Sequence, residues 1–397
     1  MANSLLTPTA VTREVLRVAH EKLAFISTVE RQYDSSYAQT GAKIGDSLKI
    51  RLPNKYTVRT GKTLQAQDTE EESVTLTVAT QKGVDMNFSS KDLTLDLDDF
   101  SKRIIEPAVA VLVSDIEGAM LNSVSQDIYN HVGTPGTLPT FAQINKAKAK
   151  LNQYLAPKDN RRYIQMESID MAGQVDALKG LFQDSTQIAK QYKEGLVGRA
   201  AGLEWFENER IYTHTNGSDV TGITVNAAVS SGDSSLTITG ASAAPAVGSI
   251  FTIAGVKAVH PETKVAYAHE QQFVVTDATT PTTTTISISP TIISNGAKQN
   301  VDHLPSSSDA ITWVGAASTA YPNHLVYHGE AFAFATADLE MPDGVHFAAR
   351  EVYDGLSIRC VRQYDINNDN IPCRIDLLHG WQTLRPDWAA RVMGSGA

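Results

Sequence analysis

The chain has 397 residues, 42% of them apolar, enough for a buried core in two or three domains. With 34 basic and 44 acidic residues the net charge is −10, the wrong sign for a protein that coats nucleic acid through its phosphates. Two cysteines exclude a disulfide scaffold and fit a reducing compartment, and the longest purely apolar run, Ala108 to Val113, is far too short to span a bilayer.

Met1 to Thr9 has neither a basic nor an apolar region of the secretory kind, so no signal peptide is expected. Thr9 to Glu30 is predicted to form an amphipathic arm helix, with Leu16, Ala19, Leu23 and Ile26 on one stripe. Ser47–Leu52 and Ser73–Ala79 alternate as strands, Leu48, Ile50 and Leu52 being answered by Val74, Leu76 and Val78. Between them runs a polar loop, Pro53 to Glu72, of about 20 residues, long for a connection inside a compact domain. Such a loop is expected either to lack order or to lie on another chain's surface.

Asp98 or Asp99 can cap a helix entry, and Pro107 suits a first helical turn. Val109, Leu112, Ile116 and Met120 then share a face, which predicts a long helix to Asn130. Thr140 and Gln143 form a capping box for the next helix, with Ile144, Ala147, Leu151 and Leu155 inward and Pro157 as the stop. A strand at Arg162–Met166 and a helix at Ala172–Phe182 continue an α+β pattern.

Composition changes near Thr221. From there to Asn323 only six acidic residues and three lysines occur, among Ser, Thr, Gly and Val. Strand-like runs at Ser235–Thr239, Ser249–Val256, Gln272–Thr276 and Thr284–Ser289 predict a small β-barrel set into the larger α+β part. The Thr-rich Thr279–Thr285 reads as loop or strand threshold. An apolar Leu325–Ala337 and a hairpin of Leu356–Tyr364 with Ile371–His379 follow.

Lookalikes of chemical motifs are incomplete. Arg59-Thr60-Gly61-Lys62-Thr63 ends like a phosphate loop, but Tyr56 stands where the first glycine belongs. His269-Glu270 starts a zinc-protease pattern whose second histidine is Phe273. Asp365, Asn367 and Asp369 resemble the opening of a calcium loop, yet Asn370 and Asp376 replace the required glycine and glutamate, and a hairpin turn explains them as well. Cys360 and Cys373 fall on the two arms of that hairpin and read as buried free thiols. Of ten histidines, His324 and His328 alone have i, i+4 spacing, and no Ser-His-Asp set is nominated. Nothing here argues for an enzyme or a cofactor.

One stretch is more telling: Glu194-Gly195-Leu196-Val197-Gly198-Arg199-Ala200-Ala201-Gly202-Leu203-Glu204-Trp205-Phe206. Its glycines permit tight turns and close packing, and it resembles the glycine-rich segment before an axial-domain strand in tailed-phage major capsid proteins of the Hong Kong 97-type fold. The order of parts supports the likeness: arm helix, extended loop from Ile44 to Thr80, spine helix, axial domain, and a closing segment with Ile375–Trp381 and Leu384-Arg385-Pro386. The run Gly248 to Lys257 followed by Gln272–Val275 is similar to the inserted barrel in coat proteins of short-tailed Salmonella-type phages.

The resemblance implies an arm at 1–43, an extended loop at 44–80, a peripheral domain with spine helix and first axial part at 81–220, an inserted barrel at 221–323 and the remaining axial and peripheral parts at 324–397. It implies self-assembly as pentamers and hexamers into an icosahedral shell, first a procapsid and then an expanded head. The partners implied are packaged double-stranded DNA held weakly, a separate scaffolding protein and a portal protein, with no membrane. The place is the virion, assembled in the host bacterial cytoplasm. No Lys–Asn self-crosslinking pair stands out, so a non-covalent shell is expected. Lys55, Arg59, Lys62, Glu70, Glu71 and Glu72 are the candidate charges between copies, and Glu14 and Glu21 the candidates for scaffolding. The competing reading is an extracellular β-rich adhesin or carbohydrate-binding protein, against which stand the helices before residue 160.

Overall fold

The computed structural model describes residues 12, 15, 17, 19, 23–31, 47–64, 66–67, 71–89, 106–178, 198–277, 285–353 and 356–395. In chain order come β1 (Ser47–Arg51), β2 (Ser73–Thr77), β3 (Thr80–Ser89), α1 (Glu106–Asp127), β4 (His131–Val132), α2 (Phe141–Gln153), β5 (Arg162–Met166) and α3 (Ser168–Leu178). Next are β6 (Arg199–Ala200), β7 (Leu203–Glu207), β8 (Thr213–Thr215), β9 (Thr224–Val225), β10 (Asp233–Thr239), β11 (Ile250–Val259), β12 (Ala266–Asp277), β13 (Thr285–Ile292) and β14 (Ile311–Trp313). The chain closes with β15 (Ala320–His328), β16 (Phe332–Ala337), β17 (Phe347–Tyr353), β18 (Leu356–Arg362), β19 (Asn370–Thr383) and β20 (Ala389–Met393). They divide between two compact units, one from Met1–Ile50, Ser73–Met120 and Phe332–Gln382, the other from Arg51–Glu72, Leu121–Ala331 and Thr383–Ala397.

In the first unit β3 and β16 to β19 make a five-stranded sheet in which β19 is central. The long strand β3 pairs with β19 from Thr80 opposite His379 to Ser89 opposite Asn370. Sequence reading missed it, because Gly83 and the charges of Lys82 and Asp85 interrupt the alternation. Gly83 has a packing reason: a Cβ there would stand 2.7 Å from the Ile375 carbonyl oxygen and 2.8 Å from the Asp376 Cβ. Of the predicted arm helix, residues 12, 15, 17 and 19 are helical, and Val15, Ala19, Leu23 and Ile26 are buried. The helix is not continuous to Glu30: a 3-10 turn occupies Ile26–Thr28, and Glu30 bridges in parallel to Ala333. Its end is also tied to α1, since the Ala24 amide donates to the carboxylate of the fully buried Glu117 at 3.0 Å. The stripe Val109, Leu112, Ile116 and Met120 is buried along α1, which stops three residues before the predicted end.

The second unit holds two sheets. The seven-stranded one runs β4-β20-β15-β5-β7-β6, with β8 also on β15. Its core joins Ile144, Ala147 and Leu151 of α2 to Ile164, Met166, Val326, Ala390 and Val392. The capping box opens α2 as predicted, with Thr140 and Gln143 bonded reciprocally. Leu155 departs from its predicted stripe: the helix ends at Gln153, and Leu155 sits at φ 61°, 40% exposed. The α3 helix begins four residues before the predicted start, and the rest of the predicted helix lies outside the described residues.

The other sheet, β14-β11-β12-β13-β10-β9, takes its six strands from between Thr224 and Trp313 and is antiparallel throughout. It has its own apolar cluster, centred on Phe251, Phe273, Ile253, Val275, Leu236 and Ile288. Phe251 stacks on Phe273 at 5.7 Å and tilts against Trp313 at 4.9 Å.

Candidate assembly interface

Between β1 and β2 the loop is a braced ribbon. The Thr57 amide and hydroxyl both donate to Gln67 Oε1, at 2.9 and 3.0 Å, and Gln67 Nε2 donates back to the Thr57 carbonyl at 2.6 Å. That two-way bond fixes the legs of the loop to each other. At the tip Arg59 Nη1 donates to the carbonyls of Gly61 and Thr63, and Gly61 takes φ 104°, which favours glycine. The base is closed by Leu52 N–H to the Glu72 carbonyl at 2.8 Å and by Arg51 to Glu71 at 3.2 Å.

This ribbon carries apolar side chains into solvent. Tyr56 is 58% exposed, Leu64 81% and Val58 97%. Exposed apolar side chains on a hydrogen-bonded frame mark a contact surface more clearly than scattered ones do. Sequence reading nominated the charges of this loop and passed over the apolar residues. The spacing of two between Tyr56 and Val58 was the available signal. Lys55, Arg59 and Lys62 are exposed on it. Of the loop's described acidic residues, Glu71 pairs with Arg51, and Glu72 pairs with Lys298 at 2.9 Å, within the same unit.

Glu14, Glu21, Glu70, Gly195, Asp98, Asp99 and most of Thr279–Thr285 lie outside the described residues. In the glycine-rich segment Gly198 adopts φ 70°, and Ala201 and Gly202, at 56° and 72°, turn β6 into β7. Two successive left-handed residues are the signature of a tight primed hairpin turn. The motif lookalikes resolve into structure. Arg59–Thr63 is the loop tip just described, and His269–Phe273 lies in the strand β12. Asp365 caps the β18–β19 turn through the Asn367 amide at 2.9 Å and the Asn368 side chain at 2.7 Å. Among the described residues no three His, Cys, Asp or Glu side chains are grouped as a metal would need. His324 and His328 are on β15, both buried, bonded to Asp170 at 2.6 Å and Asp159 at 2.8 Å.

The two sheets of the second unit meet across polar side chains and one small apolar cluster, Ile250 and Val274 against Tyr129. Gln272 of β12 accepts from the His131 amide at 2.9 Å and donates to its carbonyl at 3.0 Å, copying a strand pairing with a side chain. Its Oε1 also accepts from Lys150 Nζ at 2.9 Å. Tyr154 OH donates to Gln271 at 3.3 Å, and Tyr267 OH to the Gln153 carbonyl at 3.3 Å. His214 bonds Tyr212 at 2.8 Å and Ser249 at 3.0 Å. Arg391 of β20, fully buried, donates to the Gly248 carbonyl at 2.8 Å.

This seam is rich in basic groups, and burial beside charged Arg391 and Lys150 keeps its histidines neutral. Burial, with Arg391 and Lys150 adding repulsion, pushes His131 down to about 3. Burial and Arg391 push His214 down to about 4, and burial and Lys150 do the same to His269. Lys150 itself is lowered to about 8 by burial.

A family model described as "P22 coat protein - gene protein 5" matches residues 1–394. No curated protein matches the chain. Among solved structures, that of Mycobacterium phage Che8 is 11% identical, covering 94% of this chain and 92% of that one with a TM-score of 0.48. The capsid of Ralstonia phage GP4 is 7% identical, covering 94% and 88%, with a TM-score of 0.47. The CUS-3 coat protein I-domain is 31% identical over 25% of this chain and 99% of that one, with a TM-score of 0.21. The family match spans nearly every residue: the chain belongs to the P22 coat protein family, with the Hong Kong 97-type fold, and is a bacteriophage major capsid protein, a structural component of the virion whose copies form its icosahedral shell.

Proposed function

We propose that the braced loop from Leu52 to Glu72 is the arm by which each copy grips its neighbour in the shell. The observation that carries this is Val58, 97% exposed on a ribbon whose legs and tip are fixed by hydrogen bonds. Holding the loop in shape before contact lowers the ordering cost of binding. Burying Tyr56, Val58 and Leu64 supplies the favourable term, at ~25 cal/mol per Å². Lys55, Arg59 and Lys62 at the rim are suited to acidic partners, each exposed pair adding ~1 kcal/mol or less. Many such weak contacts allow a misplaced copy to leave.

Replacing Val58 and Leu64 together by Asp tests the reading. Soluble, folded chains that no longer form shells by electron microscopy are expected; normal shells overturn it.

The wider programme belongs to the same proposal. Shells form in the host bacterial cytoplasm as procapsids around a separate scaffolding protein, incorporate a portal, and expand as rigid bodies around packaged double-stranded DNA. The net charge of −10 supports weak contact with that DNA. The change in composition at Thr221 and Asn323 supports an inserted domain with those limits. Glu14 and Glu21 offer the arm helix negative charge for a basic scaffolding segment. Lys at both positions should reduce scaffolding incorporation; unchanged incorporation removes them from this role.

A further inference from the structure

The first unit contains a pair of thiols that no shell contact explains. Cys360 of β18 and Cys373 of β19 are the only cysteines in the chain. Cys360 faces Ile375 across the ladder and Cys373 faces Arg362, so the two sulfurs are diagonal neighbours on one face of adjacent strands. Their Sγ atoms stand 3.7 Å apart, both residues buried, Cys373 8% exposed and Cys360 1%. Side-chain rotation has to bring them to the ~2.05 Å of a bond.

We propose that Cys360 and Cys373 are a peroxide-oxidisable pair that closes to a cross-strand disulfide, with Cys373 the attacked thiol and Cys360 the resolving one. Cys373 is the more accessible of the two. The Sγ–Sγ contact with Cys360, aided by the neighbouring Arg362 guanidinium, lowers its thiol, whereas the same contact and burial raise Cys360. The Cys373 thiolate attacks one oxygen of a hydroperoxide, forming the S–O bond of a sulfenic acid and expelling hydroxide (or alkoxide) from the cleaved O–O bond. The Cys360 sulfur then attacks the sulfenic sulfur; the S–S bond forms, the S–O bond breaks, and oxygen leaves as water with the thiol proton. Two thiols are thereby oxidised by one peroxide, and a thiol reductant reverses the bond. The product staples the β18–β19 hairpin.

The test treats the full-length folded chain with hydrogen peroxide, then denatures it, alkylates free thiols and digests with trypsin. Cleavage after Arg359, Arg362 and Arg374 separates the cysteines into peptides 360–362 and 363–374. The expected result is that these two peptides appear joined, two hydrogens lighter than their sum, and part on reduction, while alkylated thiols fall from two per chain toward none. In Cys360→Ser, dimedone should trap a sulfenic acid on Cys373 that the parent does not accumulate. Two alkylated thiols after treatment, or each cysteine singly over-oxidised in its own peptide, overturns the pairing. Absence of a dimedone adduct on Cys373 in folded Cys360→Ser overturns the order of attack. The peptide map of the unaltered chain decides the pairing even if the variant fails to fold.

Discussion

The six-stranded sheet draws its strands from one stretch, Thr224 to Trp313, whereas the seven-stranded sheet beside it gathers six separated stretches, from His131 to Met393. The first is antiparallel between neighbours such as β11 and β12, and its core is a stacked apolar cluster. The second is mixed: β5 and β7 run parallel, as do β20 and β4, and β15 is held on both sides by strands distant in sequence. Local pairing closes short loops early at little entropic cost, and distant pairing needs most of the chain in place. The seam between the sheets is polar apart from the small cluster of Ile250, Val274 and Tyr129, so parting it uncovers mainly groups that water satisfies, and one sheet can be made without the other.

The largest test of that comparison is all or none. Residues 221–323 expressed alone should give a soluble monomer with β-type circular dichroism, and an unfolded product would break the contrast. Smaller and graded is a pair of substitutions. Phe273→Ala opens a cavity in the fully buried apolar cluster and should cost ~3–5 kcal/mol. Arg391→Met in the seam removes a buried charge while keeping volume, and should stay within ~1 kcal/mol of the parent. Chemical denaturation ranks the two; a larger loss at Arg391 would show the seam to be as integral as the core.

Acid gives a third comparison. Unfolded, the seam histidines bind protons near 6.5; folded, they refuse them until about 4, and His131 until about 3. The unfolded chain therefore holds more protons between these values, so stability is full above pH 6.5 and falls as pH drops toward 4. At ~1.4 kcal/mol per unit, His131 alone costs about 2 kcal/mol by pH 5. His379 in the first unit, also lowered to about 4 by burial, adds its own share. Thermal melting from pH 7 to pH 4.5 should thus show a falling midpoint, with a shallower fall in the double variant His131→Asn, His214→Asn. Identical slopes would mean that the seam does not govern acid lability.

Legibility in the sequence followed the same division. The runs at Ser235–Thr239 and Ser249–Val256 alternate locally and became β10 and β11 within a few residues. The α2 helix announced itself through the Thr140–Gln143 box, a signal complete within four residues. By contrast β3 is strand only because β19 lies alongside it, and β4, two residues long, exists only where β20 passes. The exposed charges of the loop were visible as a loop. Its stiffness was not, since Gln67 braces Thr57 from ten residues along the chain. The seam was also hidden: nothing in the order of residues says that Gln272 will copy a backbone for His131.

The strands leading into and out of the six-stranded sheet are paired with each other. In β8 and β15, Thr213 faces Pro322 and Thr215 faces Ala320, and beyond them the Ser318 amide donates to the Gly217 carbonyl at 3.1 Å. Entry and exit are thus rungs of a single ladder, ~5 Å apart. For protein engineering this makes the position a socket: a guest domain whose own ends meet side by side can be grafted between Gly217 and Ser318 without stretching its host. For evolution it means that a whole six-stranded sheet can be exchanged at one doorway, while the strands of the seven-stranded sheet keep their places.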